Sequence, residues 1–481
     1  MDSCCIAEEN LKINLELNGT NVVAESERGG RASDLFWPWC GANVSLLALS
    51  YGAFFLGFGI SFWQASFAAV VGTALSFLLV GFSSLAGKKS NAPTMVLSRA
   101  AFGVKGNIFP GLLSYAIFVG WETVLVSLAT LATGTIFQRL GSVDRNVAMI
   151  AGFVVALSLT IAGGVLGHSA IMKIQRYLTT ITIFATLIYI VLTINSVNWE
   201  VVQTVPSGSV AAVVGALIFG VTGIGLGWVN SAADYSRYLP RDSSSRAVIG
   251  WTVLGSSIFP IIMVIFGAML AGSSKELSGA IAMDPVGALT TLLPTWYLIP
   301  FVIVAVLGLI GGAILDLYSS GLTLVSIGLP VKRYQAAALD GLIMTIGTIY
   351  LIWIAKDFLG PLQGFLITLG VPVAVWSAIF VADVVLRKKD YVEAELFDAR
   401  GRYGAWNFSS IILLVVGSFI GFGFVTNTFA SWLSWQGYLL FLIGGKEGAW
   451  AYSNIGILFA LLIGFFGYLI TGKARVRSQE R

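Results

Sequence analysis

Charge is scarce in this sequence. Asp, Glu, Lys and Arg make up 11% of its 481 residues, where a soluble globular protein carries about 25%, and the shortfall excludes a water-soluble domain. Histidine is rarer still: His168 stands alone, in a short loop between two apolar runs where a solvated side chain is expected. Three cysteines, Cys4, Cys5 and Cys40, are too few and too scattered for a disulfide framework or a metal-ligand spacing, so ordinary unpaired thiols are expected. No phosphate-cradling loop, zinc-ligand spacing or nucleophile elbow appears. An ATP-driven pump and a hydrolase therefore lack support, and no cofactor is expected. Residues 1–34 are polar, with Glu8, Glu9, Glu16, Glu25 and Glu27, and lack the apolar core of a signal peptide. That tail is expected to stay in the cytosol.

What the chain has is apolar length. Hydrophobic residues make up 57% of it, and a run of about 20 spans a bilayer. Twelve runs are predicted, near 36–60, 66–87, 108–137, 146–167, 171–195, 209–231, 248–272, 296–328, 334–355, 358–386, 405–428 and 451–471. Runs 3 and 8 exceed what a bilayer needs and should tilt. With the N-terminus inside, the cytoplasmic loops collect 23 of the 28 basic residues, leaving Arg139, Arg145, Lys275, Lys356 and Lys446 outside. This bias supports twelve spans with both termini cytoplasmic.

Span 6 is the unusual one. Gly215–Pro240 reads GALIFGVTGIGLGWVNSAADYSRYLP, with glycine at 215, 220, 223, 225 and 227, each costing a helix about 1 kcal/mol. A span that unwinds near its middle is expected, with Trp228 beside the break. Span 1 is likewise interrupted, at Gly41, Gly52, Gly57 and Gly59, and it lies five spans earlier. Broken spans in matching positions point to an inverted repeat with its binding site between the halves. The expected division is a tail at 1–35, one five-helix repeat at 36–195, its inverted copy at 209–386, two further helices at 405–471, and a C-terminal tail at 472–481.

Ionisable groups at bilayer depth mark pathways unless they sit at a boundary. Asp234 and Asp383 lie near arginines (Arg237, Arg387) at span ends, where capping or an ion pair is the simpler role. Asp316, mid-span in LIGGAILDLYSSGLTL, has no basic residue within two helical turns and must pair with another helix, a ligand or a proton. Glu122 follows Trp121 directly in span 3. Trp121 and Trp228 lie too deep for an interfacial belt, and two aromatic faces can hold a flat heterocycle at about 1–3 kcal/mol per stacked ring.

These residues sit within a longer resemblance. FWQ at 62–64, NAPTMVLSRAAFGVKGNIFP at 91–110, GW at 120–121, SAADYSRYLP at 231–240 and LDLYSSG at 315–321, in this order, resemble the purine/cytosine permease branch of the nucleobase:cation symporter family. The resemblance implies an all-α polytopic membrane protein of twelve helices with a LeuT-like five-plus-five inverted repeat and two C-terminal helices. It implies a planar substrate stacked on Trp121, with Leu125 and Gly312 where relatives carry amides, Asp316 where they carry asparagine, and Gly225 or Trp228 as the span 6 contact. It also implies a cation site from the carbonyls of Ala42 and Ser45, degenerate here because Ile310 and Gly311 replace the hydroxyls of sodium-coupled relatives.

The function expected is cation-coupled import of a purine, cytosine or related heterocycle. Proton coupling through Asp316, with Glu122, is favoured over Na⁺. Another nitrogenous solute (allantoin, a hydantoin, a vitamin precursor), a ligand-sensing transceptor or a channel are the alternatives. The expected partners are a small-molecule substrate and the lipid bilayer, not nucleic acid, for a monomer in the plasma membrane.

Overall fold

The computed structural model describes residues 22–141, 143–166, 168–329 and 332–481, and every regular element among them is helical. Cys4, Cys5 and the glutamates before Val22 lie outside the described residues. Nine of the described helices are long and apolar enough to cross a membrane, and two bent pairs, Ala32–Asn43 with Leu46–Leu56 and Gly456–Thr471 with Lys473–Gln479, raise that to eleven. The remaining expected span, 405–428, is helical only over Phe408–Gly423, 16 residues, about 24 Å at 1.5 Å per residue and short of the ~30 Å bilayer core. Its end has a local cause. The N–H groups of Gly437 and Leu439 donate to the carbonyls of Phe422 and Gly423, and that of Gly456 to Phe424, so a returning loop satisfies the groups a further turn would have used.

Spans 3 (Ile108–Arg139) and 8 (Thr295–Ser326) are 32 residues each and pack along one another through the middle of the bundle. Around them the loops separate by charge. Arg28 donates to the carbonyls of Lys88 and Leu239, Lys89 to that of Arg387, Arg99 to that of Leu396, and Arg402 to that of Gln479. Alternate loops thus meet on one basic face, as an even number of crossings between them requires.

Span 1 bends by 63°, but at Val44 and Ser45 rather than at a glycine. Gly41 and Gly52 serve close packing instead. A Cβ on Gly52 would lie 2.1 Å from the Ala268 nitrogen, and one on Gly267 of span 7 (Ser245–Ser273) would lie 1.8 Å from the Leu49 carbonyl oxygen. The two backbones touch there because neither residue has a side chain.

Candidate functional site

The two interrupted spans cross beside one another. In span 1 the helix stops at Asn43, whose side-chain amide donates to the Trp39 carbonyl at 2.8 Å, and Ser45 is extended before the helix resumes. In span 6 the helix runs to Gly220, widens over Val221–Gly225 so that the N–H of Leu226 donates to the Val221 carbonyl, and tightens over Leu226–Asn230. Backbone freed at this depth needs partners, and side chains supply them. Tyr51 Oη donates to the Gly223 carbonyl at 2.6 Å, Ser83 Oγ to that of Val229 at 2.9 Å, and Asn230 Nδ2 to that of Gly227 at 2.9 Å.

A cavity of about 50 Å³ lies at the crossing, lined by Ala42, Ser45, Trp121, Leu125, Trp228 and Asp316 among the residues singled out from the sequence, and also by Tyr51 and Thr222. Trp121 packs its indole nitrogen 3.2 Å from where a Cβ on Gly227 would stand and meets Phe365 of span 10 (Leu359–Leu386) edge-on at 6.1 Å. Trp228 stands edge-on to Trp39 at 5.9 Å. Asp316 is 3% exposed, and its Oδ2 has no hydrogen-bond partner. At this volume the cavity holds a few waters; a planar ring enters only when one of the surrounding side chains gives way.

Other sequence candidates fall outside the cavity lining. A Cβ on Gly225 would strike Ser76 of span 2 (Phe62–Lys88) at 2.2 Å, so of the two span 6 options it is Trp228 that reaches the cavity. Gly312 lies behind Leu125, whose Cδ1 is 3.1 Å from its would-be Cβ. Ile310 is buried. The carbonyl of Gly311 accepts a hydrogen bond at 2.7 Å from Nε2 of Gln175 in span 5 (His168–Thr193), whose Oε1 lies against Gly41 of span 1. Glu122, fully buried, turns from the cavity toward Ser320.

The two sides of the site differ. Toward the face opposite the basic one, Thr222 also lines a vestibule of about 1050 Å³ walled by Phe54, Phe58, Phe219, Lys356 and Asp357. Toward the basic face the chain is sealed. Asp234 accepts from the backbone N–H and hydroxyl of Thr94 at 2.7 and 2.9 Å, Tyr235 Oη donates to the Leu315 carbonyl at 3.0 Å, and Arg237 donates to Tyr318 Oη at 3.0 Å. Asp234 therefore caps the short helix Thr94–Leu97 from across the bundle, while Asp383 pairs with Arg387 at 2.6 Å and accepts from Tyr468. His168 is not a solvated loop residue: it begins span 5 and stacks on Tyr238 at 3.9 Å.

Sequence reasoning passed over Tyr51, Gln175 and Asp340. A tyrosine and a glutamine in apolar runs carry no charge to draw notice. Asp340, by contrast, lies inside span 9 (Arg333–Ile349), where the same rule that selected Asp316 applies.

A family model for permeases of cytosine/purines, uracil, thiamine and allantoin matches residues 22–444. A putative purine-cytosine permease of Bacillus subtilis is 25% identical over 91% of this chain and 93% of its own length. A purine-cytosine permease of Saccharomyces cerevisiae is 23% identical over 95% and 87%, and the cytosine permease of Escherichia coli is 25% identical over 70% and 74%. In fold the chain is similar to Mhp1, a nucleobase-cation-symport-1 family transporter, in its closed, bromovinylhydantoin-bound form (TM-score 0.69, 16% identity, 97% of this chain and 99% of the other). It is similar too to the inward-facing form (TM-score 0.68, 17% identity, 96% and 94%).

Proposed function

From the premise that the chain belongs to the cytosine/purine, uracil, thiamine and allantoin permease family, we propose that it imports a purine, cytosine or related planar heterocycle by alternating access, coupled to protons. Its relatives are permeases and its fold is LeuT-like; it is an integral membrane transporter and not an enzyme. In this reading the repeats are 36–195 and 209–386, the basic face is cytoplasmic, the membrane is the plasma membrane, and the protein works as a monomer.

The observation that carries the reading is the meeting of two indoles, Trp121 and Trp228, with a buried carboxylate, Asp316, in one cavity where two broken spans cross. Indole faces grip a flat ring, and a carboxylate accepts its N–H groups. With the site empty, an ionised Asp316 at bilayer depth, with no counter-charge beside it among the described residues, is costly, so it holds a proton. Substrate N–H groups then stabilise the ionised form. Sodium is disfavoured because Ile310 and Gly311 bring no hydroxyl oxygen to the Ala42 and Ser45 carbonyls, and the Gln175 amide packs beside Gly311 instead.

Uptake into proteoliposomes under separately imposed pH and Na⁺ gradients tests this. Accumulation driven by the pH gradient and lost in Asp316→Asn is expected; full uptake on a Na⁺ gradient alone, unchanged in that variant, sinks the proposal. A thermal-shift screen across purines, pyrimidines, allantoin, hydantoins and thiamine-like compounds identifies the cargo, since a ligand at about 100 times its Kd stabilises by about 2.7 kcal/mol. Counterflow of labelled cargo separates this carrier from a channel or a pure sensor.

A further inference from the structure

Below the substrate cavity, on the side of the basic face, spans 3, 8 and 9 enclose a second polar cluster. Asp316 and Ser320 are one helical turn apart and share a face of span 8. Ser320 Oγ donates to Asp340 Oδ2 at 2.6 Å and also lies 3.0 Å from the Leu317 carbonyl. Tyr115 Oη donates to Asp340 Oδ1. Glu122 faces Ser320, with Asp340 and Asp316 as its neighbouring carboxyls. Glu122, Ser320 and Asp340 are all 0% exposed. None of the three carboxylates joins a salt bridge among the described residues, and neither oxygen of Glu122 has a hydrogen-bond partner of good geometry.

Among the described residues, the surrounding elements bring no counter-charge. Span 4 (Arg145–Gly164) sets Ile161 against Gly341, and span 10 sets Phe365 against Gly120. Span 5 offers the neutral Gln175. Arg99 gives its guanidinium to the carbonyls of Ser326 and Leu396, further down the helix. Arg237, Tyr235 and His168 gather round Tyr318 on the other side of span 8. Several buried carboxylates without a cation cannot all be ionised, so the cluster must hold hydrogen ions.

We propose that Glu122, Ser320, Asp340 and Tyr115 form a proton relay leading from Asp316 toward the basic face. This rests on the proton-coupled reading above and adds its exit route. A proton released by Asp316 on binding cargo protonates Glu122. Protonated Glu122 then gives its proton to Ser320 Oγ as the Ser320 hydroxyl passes its own to Asp340, so one proton moves and the hydroxyl is regenerated. Asp340 lies seven residues into span 9 from Arg333, about 10 Å along the helix at 1.5 Å per residue. Half-buried Tyr115 beside it is the outer end of the chain.

The test uses the full-length protein in proteoliposomes with labelled adenine and cytosine. Asp340→Asn is expected to exchange cargo across the membrane but to lose accumulation driven by a pH gradient, and Tyr115→Phe to shift the pH profile of accumulation. Unchanged gradient-driven accumulation in Asp340→Asn overturns the relay alone. Wild-type accumulation driven only by Na⁺ overturns the relay and the proton role of Asp316 together. Should Asp340→Asn fail to exchange, Ser320→Ala decides by the same criterion. Infrared titration of the purified protein needs no cargo. A protonated-carboxyl stretch at neutral pH that weakens in both Glu122→Gln and Asp340→Asn is expected, and a band indifferent to both substitutions overturns the relay.

Discussion

Trp121 is held from two sides, by the bare backbone of Gly227 and the ring edge of Phe365, so its face is oriented before a ligand arrives. If cargo stacks on this face as proposed, removing the indole forfeits about 1–3 kcal/mol, and Trp121→Ala is expected to weaken cargo binding roughly 5- to 150-fold, with Trp121→Phe retaining most of the affinity. Titration calorimetry checks both. Gln175 is the opposite kind of residue, one that touches helices rather than cargo. Gln175→Leu removes a buried side-chain donor from the Gly311 carbonyl, a bond worth about 0.5–1.5 kcal/mol, and a lower unfolding temperature in detergent is expected. Sequence pattern pointed to Trp121 and Asp316 because an indole and a carboxylate deep in apolar runs have few structural excuses. It could not place Gln175, whose role depends on which carbonyl of another helix it meets.

At the scale of the helix, glycine has two uses that look alike in one dimension. In span 6 the glycine-rich stretch does coincide with a change of helical pitch over Val221–Asn230. In span 1 the break falls at Val44 and Ser45, and Gly52 instead admits the backbone of span 7. A glycine count reports poor helix propensity in both cases; only the neighbouring helix distinguishes them. Gly267→Ala pushes a methyl group into the Leu49 carbonyl and is expected to destabilise the protein by about 1–3 kcal/mol or more. Gly279→Ala, in the helix Lys275–Met283 with nothing within 4 Å of the new carbon, is expected to stabilise by about 0.5–1 kcal/mol. Thermal unfolding of the two variants side by side checks the distinction. The shortness of Phe408–Gly423 was hidden for a related reason: the hydrophobic run continues, but loop N–H groups claim its last carbonyls.

Across the whole molecule, the alternation of basic and neutral loops was legible because it needs only charge and order. The asymmetry between an open vestibule and a sealed basic face was not, since it depends on contacts between distant segments. Part of that seal is a surface latch: Arg241 bonds Glu25 at 2.8 Å, Asp390 at 3.2 Å and Glu393 at 2.7 Å. Hydrogen bonds from Arg241 and Asn91 hold the Glu25 carboxyl below its ordinary value of 4.5. A lowered carboxylate contributes its stability above the ordinary value and loses it as pH falls through the lowered one, so the latch is fully formed at neutral pH. Each exposed pair is worth at most about 1 kcal/mol and weakens with salt. Arg241→Ala is therefore expected to shift the population toward opening on the basic face without unfolding the protein. Faster labelling of a cysteine introduced at Ser45, by a reagent confined to that side, checks it.

The amide of Gln175 has a consequence for the transport cycle itself. It fastens span 5 to the Gly311 carbonyl of span 8 while lying against Gly41 of span 1. An ion in such a joint departs once per turnover, and its departure sets a concentration-dependent clock for the return stroke. A covalently tethered side chain has no departure. If coupling is to protons as proposed, no sodium ion has to leave this joint before the empty carrier returns, and the return rate is expected not to vary with the sodium concentration of the cytosol.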